Sequence, residues 1–169
     1  MNKVQILDCT LRDGGYYTNW HFEKNLVQKY INSMSDLGID FVELGFRFLK
    51  TDMSKGKHAY TDDNYLNKLK IPKKLKIAVM INASDFINQK NIDQSISKIF
   101  PTNTTIKLVR IAAHYHELNY LNKIISALKK KNFKVAINLM QISNYTKSNI
   151  DKFFIKIKTN HLDYIYLAD

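Results

Sequence analysis

The chain has 169 residues, 45% of them hydrophobic and 12% aromatic, with a formal net charge of +11. That is enough apolar material for one sizeable core, and it excludes a disordered chain. No apolar run approaches the roughly 18 residues that cross a bilayer, and a single cysteine, Cys9, excludes an internal disulfide and points to the cytosol.

Short runs rich in Ile, Val and Leu recur along the chain: Val4–Leu7, Phe41–Leu44, Leu75–Ile81, Ile106–Ala112, Phe133–Leu139 and Tyr164–Leu167. Such runs read as strands buried on both faces, as in a parallel sheet. Between the first two, Leu26, Val27, Tyr30, Ile31, Met34 and Leu37 recur at helical spacing, and Gly38 supplies a stop. The stretch 46–74 is the longest excursion and contains "KGKHAYTDD", read as a mobile loop; Asp62 or Asp63 caps a short helix through Leu69. A weaker helix carries Ile92, Ile96, Ile99 and Phe100 and ends at Pro101. Two more follow, one on Leu118, Leu121, Ile124, Ile125 and Leu128, the other on Ile150, Phe153, Phe154 and Ile157. The order is strand, helix, strand, helix, and no linker or low-complexity tract divides residues 1–169, which predicts one α/β domain. A doubly wound sheet and part of an eight-stranded βα barrel both fit this alternation.

Either architecture gathers binding chemistry after the strand C-termini. All three arginines fall there: Arg12, Arg47 and Arg110. A guanidinium matches carboxylate or phosphate with its planar fork, so an anionic substrate is expected; pairing with a nearby acid such as Asp13, Glu43 or Glu117 is the plain alternative. Asp13 is the natural oxygen ligand for a hard divalent cation. Gly14 and Gly15 follow it and read as a turn with close backbone approach. Glu43 interrupts an apolar strand, where a carboxylate must be paired or bound to metal. His114-x-His116 follows the fourth strand: on a strand the pair would face one way, on a helix it diverges. Asn138 ends the fifth strand and Asp169 the sixth, and Tyr16 offers a hydroxyl for acid, base or hydrogen-bond work. The lysines are scattered over every segment, so the positive charge reads as a solvated surface and no nucleic-acid partner is expected.

"LDCTLRDGG" followed by "FVELGFR" resembles the DRE-TIM metallolyases, in the aldolase-like branch that includes 4-hydroxy-2-oxovalerate aldolase. The resemblance implies an incomplete TIM (β/α)8 barrel with about six parallel strands present, as the N-terminal portion of a catalytic domain. It implies a metal-dependent aldolase or lyase that cleaves a carbon–carbon bond in a small 2-oxo acid such as pyruvate's aldol adducts. The cofactor would be a divalent metal ion, Mn or Mg, with Zn the alternative, and Asp13 one of its ligands. Arg12 would hold substrate oxygens and stabilise enolate charge, Glu43 would support Arg12, and Tyr16 stands where the aldolases carry a histidine base. Arg47, Arg110, His114, Asn138 and Asp169 would bind substrate. The family's H-x-H metal ligands on strand seven have no counterpart up to Asp169, so inactivity of this stretch by itself is expected. A homo-oligomer or a dehydrogenase partner is implied for a full-length protein, without nucleic acid or membrane. The alternatives are an acyl-CoA condensing synthase of the same superfamily and a non-catalytic anion-binding module.

Overall fold

The structure is a computed structural model that describes residues 4–157 and 159–169. Twelve strands and α-helices follow one another along them, alternating after a first pair of helices: β1 (Leu7–Asp8), α1 (Thr10–Thr18), α2 (Lys24–Asp36), β2 (Phe41–Phe46), α3 (Asp63–Leu66), β3 (Lys76–Asn82), α4 (Ile92–Ile99), β4 (Ile106–Ala113), α5 (Leu118–Lys130), β5 (Lys134–Leu139), α6 (Lys147–Lys156) and β6 (Tyr164–Leu167). The six strands form one sheet in chain order, β1 to β6. A doubly wound sheet reverses its strand order at a switch point; a βα barrel does not. The sequential order therefore decides for the barrel type, an incomplete (β/α)8 arrangement. No helix among the described residues is long and apolar enough to cross a membrane.

The contacts divide the chain into two compact units, one running to Val79 with Thr104–Lys107, the other covering Met80–Asn103 and Leu108–Asp169. In the first, β1 pairs parallel with β2, Leu7 opposite Phe41 and Asp8 opposite Val42. Strand β2 is buried at every residue. Helix α2 covers its own core with Val27 and Ile31, both fully buried, while Leu26 and Leu37 of the expected stripe face outward. Residues one position off the contacting row rotate about 100° away from it, which narrows the buried face. Gly38 ends this segment with φ +76°, the left-handed stop its sequence position suggests.

Strand β1 is shorter than expected and shifted. Val4 and Ile6 are exposed, although the Ile6 carbonyl still accepts from the Asp40 and Phe41 amides at 3.1 and 3.0 Å. Asp8 ends the strand because its carboxylate turns to the next element: it accepts from the Thr10 amide at 2.9 Å and from the Tyr30 hydroxyl. An acid before the first turn satisfies an amide that has no partner inside the helix.

In the second unit β4, β5 and β6 run parallel, with Arg110 opposite Ala136, Ala112 opposite Asn138, and Asn138 opposite Tyr166. Helix α5 buries Leu118, Leu121, Ile124, Ile125 and Leu128, the whole expected stripe. Helix α6 buries Phe153 and leaves Phe154 exposed; Thr146 caps it, accepting from the Asn149 amide at 3.2 Å. Lys129 and Lys130, in the last turn of α5, pair with Asp163 at 2.5 Å and Asp93 at 3.0 Å. The basic run thus answers acids and the negative end of the helix.

Candidate functional site

"TLRDGGYYT" is a helix, not the glycine-rich turn that two adjacent glycines suggest. Neither Gly14 nor Gly15 has positive φ. Gly15 is small for a packing reason: a Cβ there would stand 2.0 Å from the Trp20 ring nitrogen. Trp20 folds back over α1 and donates from Nε1 to the Arg12 carbonyl at 3.1 Å. The chain achieves this by placing Asn19 and Trp20 in succession at φ 50° and 56°, so that the Trp20 amide reaches the Gly15 carbonyl at 3.0 Å. The helix carries Arg12, Asp13 and Tyr16 on its first two turns.

Arg12 reaches β2. Its Nε donates to Glu43 Oε1 at 2.7 Å, and its Nη1 pairs with Asp13 Oδ1. The Glu43 side chain is wholly buried, that of Arg12 is 11% exposed, and that of Asp13 is 54% exposed. Burial opposes the charge on Arg12, but Glu43 and then Asp13 outweigh it and hold the guanidinium firmly protonated. The trio therefore runs from a buried anchor, through a clamped cation, to an acid open to solvent. Cys9 adds a thiol that donates to Asp13 Oδ2 at 3.1 Å; burial and that carboxylate push the thiol up to about 11, so it stays protonated. Tyr16, one turn beyond Arg12, is exposed and sets its ring edge against Trp20 and Phe46.

Arg47 is not part of this trio. It is buried and pairs with Asp63 of α3 at 3.0 Å, an acid outside the partners considered from the sequence. Burial lowers its pKa more than Asp63 raises it. The segment expected to be a mobile loop is packed structure: residues Lys57–Ala59 make a short turn, and His58, Ala59 and Thr61 are buried. His58 Nδ1 lies 3.1 Å from the Trp20 carbonyl, which puts the ring proton on Nδ1. Burial lowers the His58 pKa, His21 adds to it, and the Trp20 carbonyl opposes it. The folded chain thus binds this proton less readily than the unfolded one, whose imidazole titrates near about 6.5. Stability from neutral His58 is complete above that pH and declines as pH falls toward the folded value. The ring's proton NMR shift is expected to titrate below about pH 6.5.

The remaining candidates lie in the second unit. Arg110 is buried, donates from Nη2 to Asn138 Oδ1 at 2.8 Å, and stacks over the Tyr166 ring at 4.3 Å. The Asn138 amide also points to Met140 Sδ, at 2.9 Å. His114 and His116 fall on a turn, with their rings parallel at 5.7 Å, rather than on a strand. The His114 amide donates to Glu117 Oε2 at 2.8 Å, so Glu117 closes a helix start instead of meeting Arg110. Asp169 accepts from the Ser143 amide at 2.9 Å, and the Ser143 side chain together with that amide keeps its carboxyl below the usual range. Sequence reading missed Asp8, Tyr30, Trp20 and Tyr166. Only Trp20, the single tryptophan, carried a visible signal; the others were hidden because each matters through a partner distant in sequence.

Among the described residues no group of three or more His, Cys, Asp or Glu side chains could hold a metal ion. Both Asp13 oxygens already meet donors, Arg12 and Cys9. These residues offer a divalent ion one carboxylate and not a coordination set.

The fold is that of an incomplete βα barrel, and its first unit joins Arg12, Asp13 and Glu43. No family model matches the chain. It is 23% identical to 4-hydroxy-2-oxovalerate aldolase of Pelotomaculum thermopropionicum, over 99% of this chain and 48% of that protein. It is 22% identical to the cytosolic homocitrate synthase of Saccharomyces cerevisiae, over 80% of this chain and 31% of that protein. The chain thus spans about half or less of the curated relatives it matches. Among solved structures, the N-terminal domain of a "putative aldolase" from Bacteroides vulgatus superposes with a TM-score of 0.74 at 24% identity, covering 98% of this chain and 73% of that one. Together these likenesses support placing the chain with the N-terminal portion of the DRE-TIM metallolyases.

Proposed function

We propose that this chain belongs to a carbon–carbon lyase of the aldolase type, acting on a small 4-hydroxy-2-oxo acid and releasing a 2-oxo acid such as pyruvate. The observation that carries the reading is the Arg12 clamp. Glu43 and Asp13 engage Nε and Nη1, and among the described residues Nη2 is uncommitted. A guanidinium fixed in this way meets developing negative charge without having to reorganise. In cleavage, the 4-hydroxyl loses its proton, the C3–C4 bond breaks, an aldehyde leaves, and the bonding pair moves to the 2-oxo oxygen as an enolate. Arg12 stabilises that oxygen. Protonation at C3 then completes the 2-oxo acid. Tyr16 is the candidate to exchange the hydroxyl proton, being exposed on the same helix one turn away. A divalent ion would supply Lewis-acid polarisation of the carbonyl, and Asp13 is the residue of this chain that would meet it. A cytosolic setting, and a homo-oligomer or dehydrogenase partner, belong to the same reading.

The test is a full-length preparation assayed for 2-oxo acid release from 4-hydroxy-2-oxo acids with Mn or Mg present. Release is expected, and Arg12→Lys should lose on the order of 100-fold in kcat, because an ammonium cannot keep both acids and offer a further donor in one plane. Near-normal turnover in Arg12→Lys would contradict the role given to it. The homocitrate synthase likeness favours a second reading, acyl-CoA condensation; thioester consumption without aldol cleavage would select it.

A further inference from the structure

A cleft of about 460 Å3 opens in the first unit, away from the Arg12–Glu43 pair. Its walls are the rings of Phe22, His58 and Tyr65, with His58 edge-on to Phe22 at 5.4 Å and to Tyr65 at 4.9 Å. Lys24, Lys57 and Lys68 also line it, and none of the three forms an ion pair among the described residues. The one acid in the lining, Asp62, is already used, since it caps α3 by accepting from the Tyr65 amide at 2.7 Å. The Tyr65 hydroxyl is buried and has no hydrogen-bond partner among the described residues. A second cavity of about 700 Å3 shares Phe22, Lys57 and His58 with the first.

Lysines on a protein surface are ordinarily dispersed among acids and solvated. Here three stand around an apolar, ring-lined hollow of ligand size that has a single acid, Asp62, in its lining. We propose that this cleft binds a small organic anion, a carboxylate or phosphate on a planar apolar body, with the lysines holding the charge and the rings holding the body. The proposal is independent of the lyase reading, since it uses none of Arg12, Asp13 or Glu43.

Isothermal titration of the full chain at low ionic strength tests it, with phenyl phosphate and benzoate as separate probes and benzyl alcohol as the neutral match. Saturable binding of at least one anion is expected, with benzyl alcohol at least roughly tenfold weaker. The double variant Lys57→Ala/Lys68→Ala, both at exposed positions, should weaken that binding roughly tenfold. Lys123→Ala, in the second unit, should leave it unchanged. Unchanged melting by circular dichroism checks that each variant is folded; if the double variant melts early, Lys24→Ala and Lys68→Ala are tested singly. No saturable binding of either anion, equal binding of benzyl alcohol, or folded lysine variants with unaltered affinity would each overturn the proposal.

Discussion

Glu43→Ala is expected to lower the stability of the chain by about 3–5 kcal/mol, as a urea titration would read it. Glu43 has no solvent exposure and holds Arg12 Nε at 2.7 Å. Removing it leaves a largely buried guanidinium with Asp13 as its remaining acid, and Asp13 is half in water. The loss therefore reflects an uncompensated buried charge more than the worth of the pair itself. The double variant Arg12→Met/Glu43→Leu separates the two. With both charges gone and apolar volume restored, stability should return to within about 1–2 kcal/mol of the parent, while any activity should not return. If the double variant were as unstable as Glu43→Ala, the cost would lie in packing, and the electrostatic account of this pair would fail. If the double variant kept full activity, the pair would have no part in the chemistry.

Gly45→Ala is the second large effect expected, a loss of about 3 kcal/mol. A Cβ at Gly45 would lie 2.1 Å from the His58 carbonyl oxygen and 2.7 Å from the Thr61 hydroxyl. Both atoms belong to the packed turn that covers β2, and the nearer is backbone, so relief requires the whole turn to move. His58 would then lose part of its burial, and its titration should rise back toward the ordinary value. That link gives two readings of one event, a melting shift and an NMR pKa shift in the same variant. Gly14→Ala is the contrasting case. Its Cβ would meet nothing nearer than Phe22 at 4.0 Å, and the residue sits inside α1 without positive φ. Alanine should hold or raise stability there, by up to about 1 kcal/mol, because it has less backbone freedom to lose in a helix. A loss at Gly14 equal to that at Gly45 would mean that close packing is not what separates them.

Much of the architecture was written in local pattern. Burial on both faces of a parallel strand leaves a continuous apolar run, and the run at Phe41–Leu44 falls within β2, which is buried at every residue. The stripe of α5 was legible for the same reason, since all its members face one core. Arg12, Asp13 and Glu43 could be named as candidates because a charge in or beside an apolar strand must be compensated. The Arg12–Glu43 pairing was among the readings, and the fold sets the two together across 31 positions.

Where local pattern misled, a distant partner was the cause. Two adjacent glycines announce a turn, but Trp20 takes the space that Gly15 vacates, and the turn is a helix. A polar stretch with glycine and histidine announces a mobile loop, but Gly45 gives it a strand surface to lie on, and His58 becomes buried. Of the two other arginines, Arg47 pairs with Asp63, and Arg110 meets Asn138 and Tyr166, partners that only the fold brings near. Sequence alone determined the elements, their order and the charges that needed answering, because hydrophobic period and desolvation cost act residue by residue. The tertiary structure alone decided which partner answers each charge and which glycine is a space rather than a hinge, because those depend on atoms that meet only after the chain has folded.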